Sequence, residues 1–247
     1  MQSQNPVLTD STFTRYGYEN RTDAMTMQGT VTKTAILLFI TLVSAAWTWV
    51  KFYKSGGDAA ALAPWMIGSA IVGLVVAMAT VFKPAWSSFT APLYALVEGV
   101  FVGGLSATME VAFPGIVIQA TALTFGTLFA MLGVYQSGLI KVTDGFRFGI
   151  AAATGGIALF YVVAMILGFF NINIPFISGG GWLGIGFSLF VIAIAALNFV
   201  LDFDFIEQGA KRGVPKYMEW YGAFALIVTL IWLYVEFVRL LAKIRRD

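Results

Sequence analysis

No cysteine and no histidine occur among the 247 residues. The first absence removes disulfides, thiolate metal sites and cysteine nucleophiles together. The second excludes Ser-His catalysis, imidazole metal ligation and a histidine pH switch. Charge is scarce as well: 11% of residues are Asp, Glu, Lys or Arg, against about a quarter in an ordinary soluble domain. The net charge of +2 is spread thinly, without the clustered basic face that a nucleic-acid surface requires. Proton chemistry is therefore left to carboxylates, lysine and tyrosine. What the chain holds in abundance is apolar, with 59% hydrophobic residues and a mean hydropathy of +0.83. This is the composition of an integral membrane protein.

Residues 1–32 are polar, with Asp10, Arg15, Glu19, Arg21 and Asp23 of mixed sign, and read as a flexible tail. Seven apolar runs follow, at about 34–50, 62–82, 91–109, 115–136, 146–170, 182–206 and 220–241. A membrane-crossing helix needs about 20 residues, so residues 33–247 are expected to form one all-α, seven-helix transmembrane bundle. The first run is short enough for the apolar core of a signal peptide, but it lies behind the tail and has no small-residue cleavage site, so it reads as a retained helix. Short breakers separate the runs: KSGGD, Lys83-Pro84, Pro114-Gly115, KVTDG, NINIPFISGGG and EQGAKRGVPKYME. With seven crossings, Arg15, Arg21, Lys33, Lys83, Lys141, Arg147, Lys211, Arg212 and Lys216 share one side, and Lys51, Lys54, Arg239, Lys243, Arg245 and Arg246 the other. That asymmetry favours a cytoplasmic N-terminus. The basic LLAKIRRD at the end pulls the other way, which a last segment dipping into the membrane and returning would also satisfy.

Four acids fall within the spans: Glu98, Asp202, Asp204 and Glu236. An ionised side chain at mid-membrane costs about 2.5–3.5 kcal/mol on insertion scales, so each is a functional candidate by default. Helical spacing separates them. Back from Asp202 run Asn198, Ala195, Val191, Ser188 and Gly184, a small and polar stripe suited to close packing or a wet cavity, so Asp202 faces inward. Asp204 lies about 200° further round and is expected to face lipid or another helix at the membrane edge. Back from Glu236 run Trp232, Thr229, Ala225 and Gly222, so it too faces the bundle; the alternative is a local pair with Arg239 or Arg245. Glu98 adjoins Gly99, Gly103 and Gly104, which permit close backbone approach, and is either a strut hydrogen-bonded between helices or a working carboxylate. Two inward carboxylates close together would share a proton and titrate as a pair. They would form a latch that closes when protonated and admits a cation when ionised. Calcium wants six to eight oxygens, so two carboxylates offer it a transient station, which suits permeation.

LNFVLDFDFIE resembles the penultimate-helix motif of the Bax inhibitor-1 family, in which an Asp near the helix end is followed four residues later by Ile; here these are Asp202 and Ile206. LYVEFVRLL at 233–241 resembles the closing motif of the family, Leu-Tyr-Leu-Asp-Phe-Ile and further aliphatics, with Glu236 in place of Asp. MQGTVTKT at 27–34 looks like the start of the bacterial branch. The resemblance implies a seven-helix, pH-sensitive calcium leak with Asp202 and Glu236 as paired proton sensor and transient calcium ligands; Asn198, Glu98 and Asp204 are supporting polar candidates on the physical reading alone. In eukaryotic relatives it also implies suppression of cell death. A hairpin turning at Gly213–Pro215 would set Asp202 and Glu236 about 15 Å apart in depth at 1.5 Å per residue. Contact therefore requires an irregular 207–219 and a last helix starting near 220–224.

The expected setting is the cell inner membrane, with the bilayer, protons and calcium as partners, calcium as permeating ion and no cofactor or nucleic acid. Two other functions stay open: an interaction protein that binds a membrane protease or other membrane complex through its tail, and a proton-coupled transporter. An enzyme is not expected, since rhomboid-type Ser-His chemistry needs histidine and no Gly-x-Gly-Asp of the intramembrane aspartyl proteases occurs.

Overall fold

In a computed structural model, residues 24–170 and 181–246 are described. Most of the expected tail, with Arg15 and Arg21, and nearly all of NINIPFISGGG lie outside them. Seven helices long and apolar enough to cross a membrane occur among the described residues: α1 Met27–Lys54, α2 Ala59–Phe82, α3 Ser87–Ala112, α4 Ile116–Gln136, α5 Asp144–Phe169, α6 Trp182–Arg212 and α7 Met218–Ile244. A single 3-10 turn, Pro84–Trp86, joins α2 to α3. The protein is a multi-pass, all-α membrane bundle.

Local chemistry sets the ends. Thr26 caps α1 by accepting from the Gly29 amide at 2.9 Å, so the helix begins at Met27, well before the apolar run at 34, and takes in the last residues of the expected tail. Asp58 and Thr143 cap α2 and α5 in the same way. The start of α4 is capped from α3: the Glu110 carboxylate accepts from the Gly115 and Val117 amides at 2.6 and 3.1 Å. Gly213, in the left-handed region at φ 64°, ends α6 and turns the chain back within a few residues. α7 is one continuous helix, so the last segment crosses instead of re-entering.

α7 is the axis of the bundle, packed by α1, α3, α4 and α6. α1 and α3 meet most closely, because Gly99 and Gly103 present bare backbone to Thr41, Ser44 and Ala45 of α1. α5 lies outside, mainly against α6. The start of α1 and the α6–α7 turn share one end of the bundle, the N side; the end of α7 defines the C side.

Candidate functional site

Every seventh residue along one face of α7, two helical turns apart, reads Gly222, Thr229, Glu236 and Lys243, all buried. α6 supplies the opposing face, and its small residues Gly184, Ser188, Val191 and Ala195 are buried there as the periodicity implies. At the C-side end the stripe does not line water. The Lys243 ammonium occupies it, donating to the Gly184 carbonyl and the Ser188 hydroxyl at 3.0 Å each.

Asp202 is partly buried and faces α7, but its partner is Thr229, whose hydroxyl donates to Asp202 Oδ2 at 2.7 Å. Glu236 is seven residues further along α7, about 10 Å deeper. α7 starts at Met218, directly after the tight turn at Gly213, so the irregular excursion that contact required is absent. The structure therefore does not join Asp202 and Glu236 in a pair: each acid has its own partners. The physical reason is hairpin geometry, which matches residues at equal distance from the turn.

Glu236 is 1% exposed. Its Oε1 accepts from the Tyr161 hydroxyl of α5 at 2.8 Å and from Arg239 at 3.0 Å, so the local pair with Arg239 exists alongside the inward orientation. Its Oε2 is buried and has no hydrogen-bond partner among the described residues. Glu236 opens on a cavity of about 600 Å³ between α3, α5 and α7, lined also by Glu98, Tyr94, Tyr161, Trp232 and Arg239. Glu98 is half-buried, its carboxylate close against the bare backbone of Gly73 on α2, and among the described residues it makes no hydrogen bond or ion pair. The strut reading of Glu98 thus finds no bond to support it.

The remaining candidates hold α5 to α6. Asn198, one turn from Asp202, turns toward α5 and donates to Thr154 Oγ1 at 2.9 Å. Asp204 is paired with Arg147 at the start of α5, at 2.7 Å, which is the edge position facing another helix that its angle implied. No group of three or more acids arranged to hold a metal occurs among the described residues.

On the N side, spacing alone overlooks Glu219, which is completely buried. It accepts from the Thr26 amide and hydroxyl at 2.9 and 2.8 Å and is ion-paired with Lys33. Backbone pairing of Met25 with Val214 and of Ala24 with Pro215 ties the same segment to the α6–α7 turn. Glu207 is held by Tyr135 of α4 and by Lys211. Both acids fall where a connecting loop was expected, and their positions carry no apolar context to mark them.

The arrangement of a central, acid-bearing last helix paired with an Asp-bearing penultimate one is accompanied by a family match: the sequence model described as Bax inhibitor 1 like covers residues 5–246. The chain belongs to that family. No curated protein sequence matches it. Within this Bax inhibitor 1 like bundle, the residue facing Asp202 on α7 is Thr229, so the LYVE stretch places its acid two turns beyond the penultimate-helix aspartate.

Proposed function

We propose that this Bax inhibitor 1 like protein is a pH-sensitive calcium leak of the inner membrane, with its N side in the cytoplasm. The observation that carries the reading is Glu236: a buried carboxylate with one oxygen that has no hydrogen-bond partner among the described residues, on a residue that lines a cleft between α3, α5 and α7. Such an oxygen is costly unless a proton, a cation or water meets it. Asp202, held by a single hydroxyl, is a second station nearer the N side. Protons and calcium compete for the same oxygens, so the ionised, higher-pH state admits calcium and the protonated state closes. Around Glu236 stand Tyr161 and Arg239, with Glu98 on the same cleft and Lys243 two turns on; beside Asp202 stand Thr229 and, about one turn toward the N side, Glu207. For the orientation, Lys33, Lys83, Lys141, Arg147, Lys211, Arg212 and Lys216 lie on the N side.

In vesicles loaded with a calcium dye, flux through the wild-type protein should rise with pH. Glu236→Gln should flatten that profile, and Asp202→Asn should do so in part. Flux and pH profile left unchanged by both substitutions would sink the sensor assignment.

A second reading, a docking protein that binds a membrane complex through its tail, is favoured by the pinning of Ala24 and Met25 to the α6–α7 turn, which fixes where the tail leaves the bundle. Removing residues 1–23 spares the Thr26 cap and should leave a leak conducting while a docking protein loses its partner. Removing residues 1–26 takes away the cap and two bonds to Glu219, and should lower stability whichever function holds.

A further inference from the structure

We propose that a cleft between α3 and α7 at the C side of the bundle binds the phosphate of an anionic phospholipid, with the start of an acyl chain against its apolar walls. The site stands apart from the leak reading and does not depend on it. The cleft has a volume of about 240 Å³, and every charged residue lining it is basic: Arg239 and Lys243 on α7, and Arg246 just past its end. A spacing of four and then three residues keeps them on one side of the helix. The turn after the helix, with the Arg246 amide on the Lys243 carbonyl at 3.1 Å, carries that pattern on. α3 runs alongside in the same direction and supplies Phe101, Leu105 and Met109, again a single face.

Two acids stand close, and neither neutralises the cleft. Glu110 is turned to α4, where it accepts from the Gly115 and Val117 amides. Glu236 accepts from one nitrogen of Arg239 at 3.0 Å, while the arginine side chain stays 43% exposed. Arg246 makes no ion pair among the described residues; its guanidinium lies 5.6 Å from the centre of the Phe113 ring. Lys243 keeps its ammonium on Gly184 and Ser188 of α6, so it adds field to the cleft and not a bond. What this combination recognises is a phosphate joined to hydrocarbon. Guanidinium groups fit phosphate oxygens with paired hydrogen bonds, and basic pockets between membrane helices take anionic headgroups. A free anion would use the charges alone, whereas the walls continue inward as apolar surface to Phe101 and Val235. Val235 is eleven residues before Arg246, about 16 Å deeper, or about half of a hydrocarbon core. The cleft holds about eight times the roughly 30 Å³ of a water, room for a phosphate and the first methylenes, with the rest of the lipid in the bilayer.

The full-length protein in detergent, titrated with phosphatidylglycerol and read by native mass spectrometry, should retain one lipid molecule. It should hold it about tenfold or more tightly than phosphatidylcholine of the same chains. Both lipids carry a phosphate, so the preference isolates net negative charge. Arg239→Gln and Arg246→Gln should each weaken phosphatidylglycerol about fivefold, and Arg246→Lys, which keeps the charge, should lose less. Arg245→Gln removes the same charge from the neighbouring position, where Arg245 donates to Pro114 and Gln119 on the α4 side, and should bind as the wild type does. Leu105→Trp fills the apolar wall without touching a charge and should weaken binding too. Thermal melts of each variant check folding. Equal retention of the two lipids, or equal losses in Arg246→Gln and Arg245→Gln, would overturn the site. Displacement of the lipid by inorganic phosphate, with Leu105→Trp harmless, would overturn the lipid assignment and leave a bare anion site.

Discussion

Replacing Glu219 with Ala should lower stability by about 2–4 kcal/mol, the largest effect expected of any single charged residue here. Removing one partner of a buried ion pair costs about 3–5 kcal/mol because the other charge is left without its counter-ion. Some of this is recovered here, since Lys33 keeps 16% side-chain exposure and can turn its ammonium toward N-side water. The Thr26 amide and hydroxyl lose their acceptor at the same time. Thermal unfolding in detergent, with Lys33→Ala and the double variant completing a cycle, reads the coupling directly. A midpoint unchanged in Glu219→Ala would mean that α1 is not held to α7 by this clasp. Gly29→Ala provides an independent check, since a Cβ there would fall 2.1 Å from Glu219 Oε1 and push the carboxylate out of place.

Gly103→Leu should be at least as disruptive, at about 3 kcal/mol or more. A Cβ at Gly103 would sit 2.4 Å from the Ala45 carbonyl oxygen and 2.6 Å from its Cα. Those are backbone atoms of α1 and cannot rotate aside, so the helices must separate and lose their closest packing. Gly104, next in the chain, would meet the Met66 side chain at 2.7 Å, and a flexible thioether can give way. The order Gly103→Ala well below Gly104→Ala in melting temperature tests the assignment, and equal losses would contradict it.

Much of this architecture is written in local pattern. The apolar runs give the number of crossings, and the period of α6 correctly marks Gly184, Ser188, Val191 and Ala195 as a packing face. The same period set Asp204 apart from Asp202, and the ion pair with Arg147 agrees. It left open which neighbour Asn198 meets, and the structure gives α5: a stripe flanked by two helices has no internal mark for where one neighbour ends and the next begins. Glu219 and Lys243 were invisible for a different reason. Their partners are 186 and 193 residues away in the chain for Glu219 and 55 and 59 for Lys243, and an acid or a lysine near a helix end looks the same whether it meets water or another helix.

The amino-acid sequence by itself determined the class of molecule, seven apolar crossings, the absence of histidine and cysteine chemistry, and the inward orientation of Asp202 and Glu236, because burial faces follow helical period and period is local. Only the tertiary structure decided which acid meets which partner. That depends on the length of the α6–α7 turn and on which helices fill the sides, and the outcome was Thr229 against Asp202, with Glu236 left facing Tyr161, Arg239 and an open cavity.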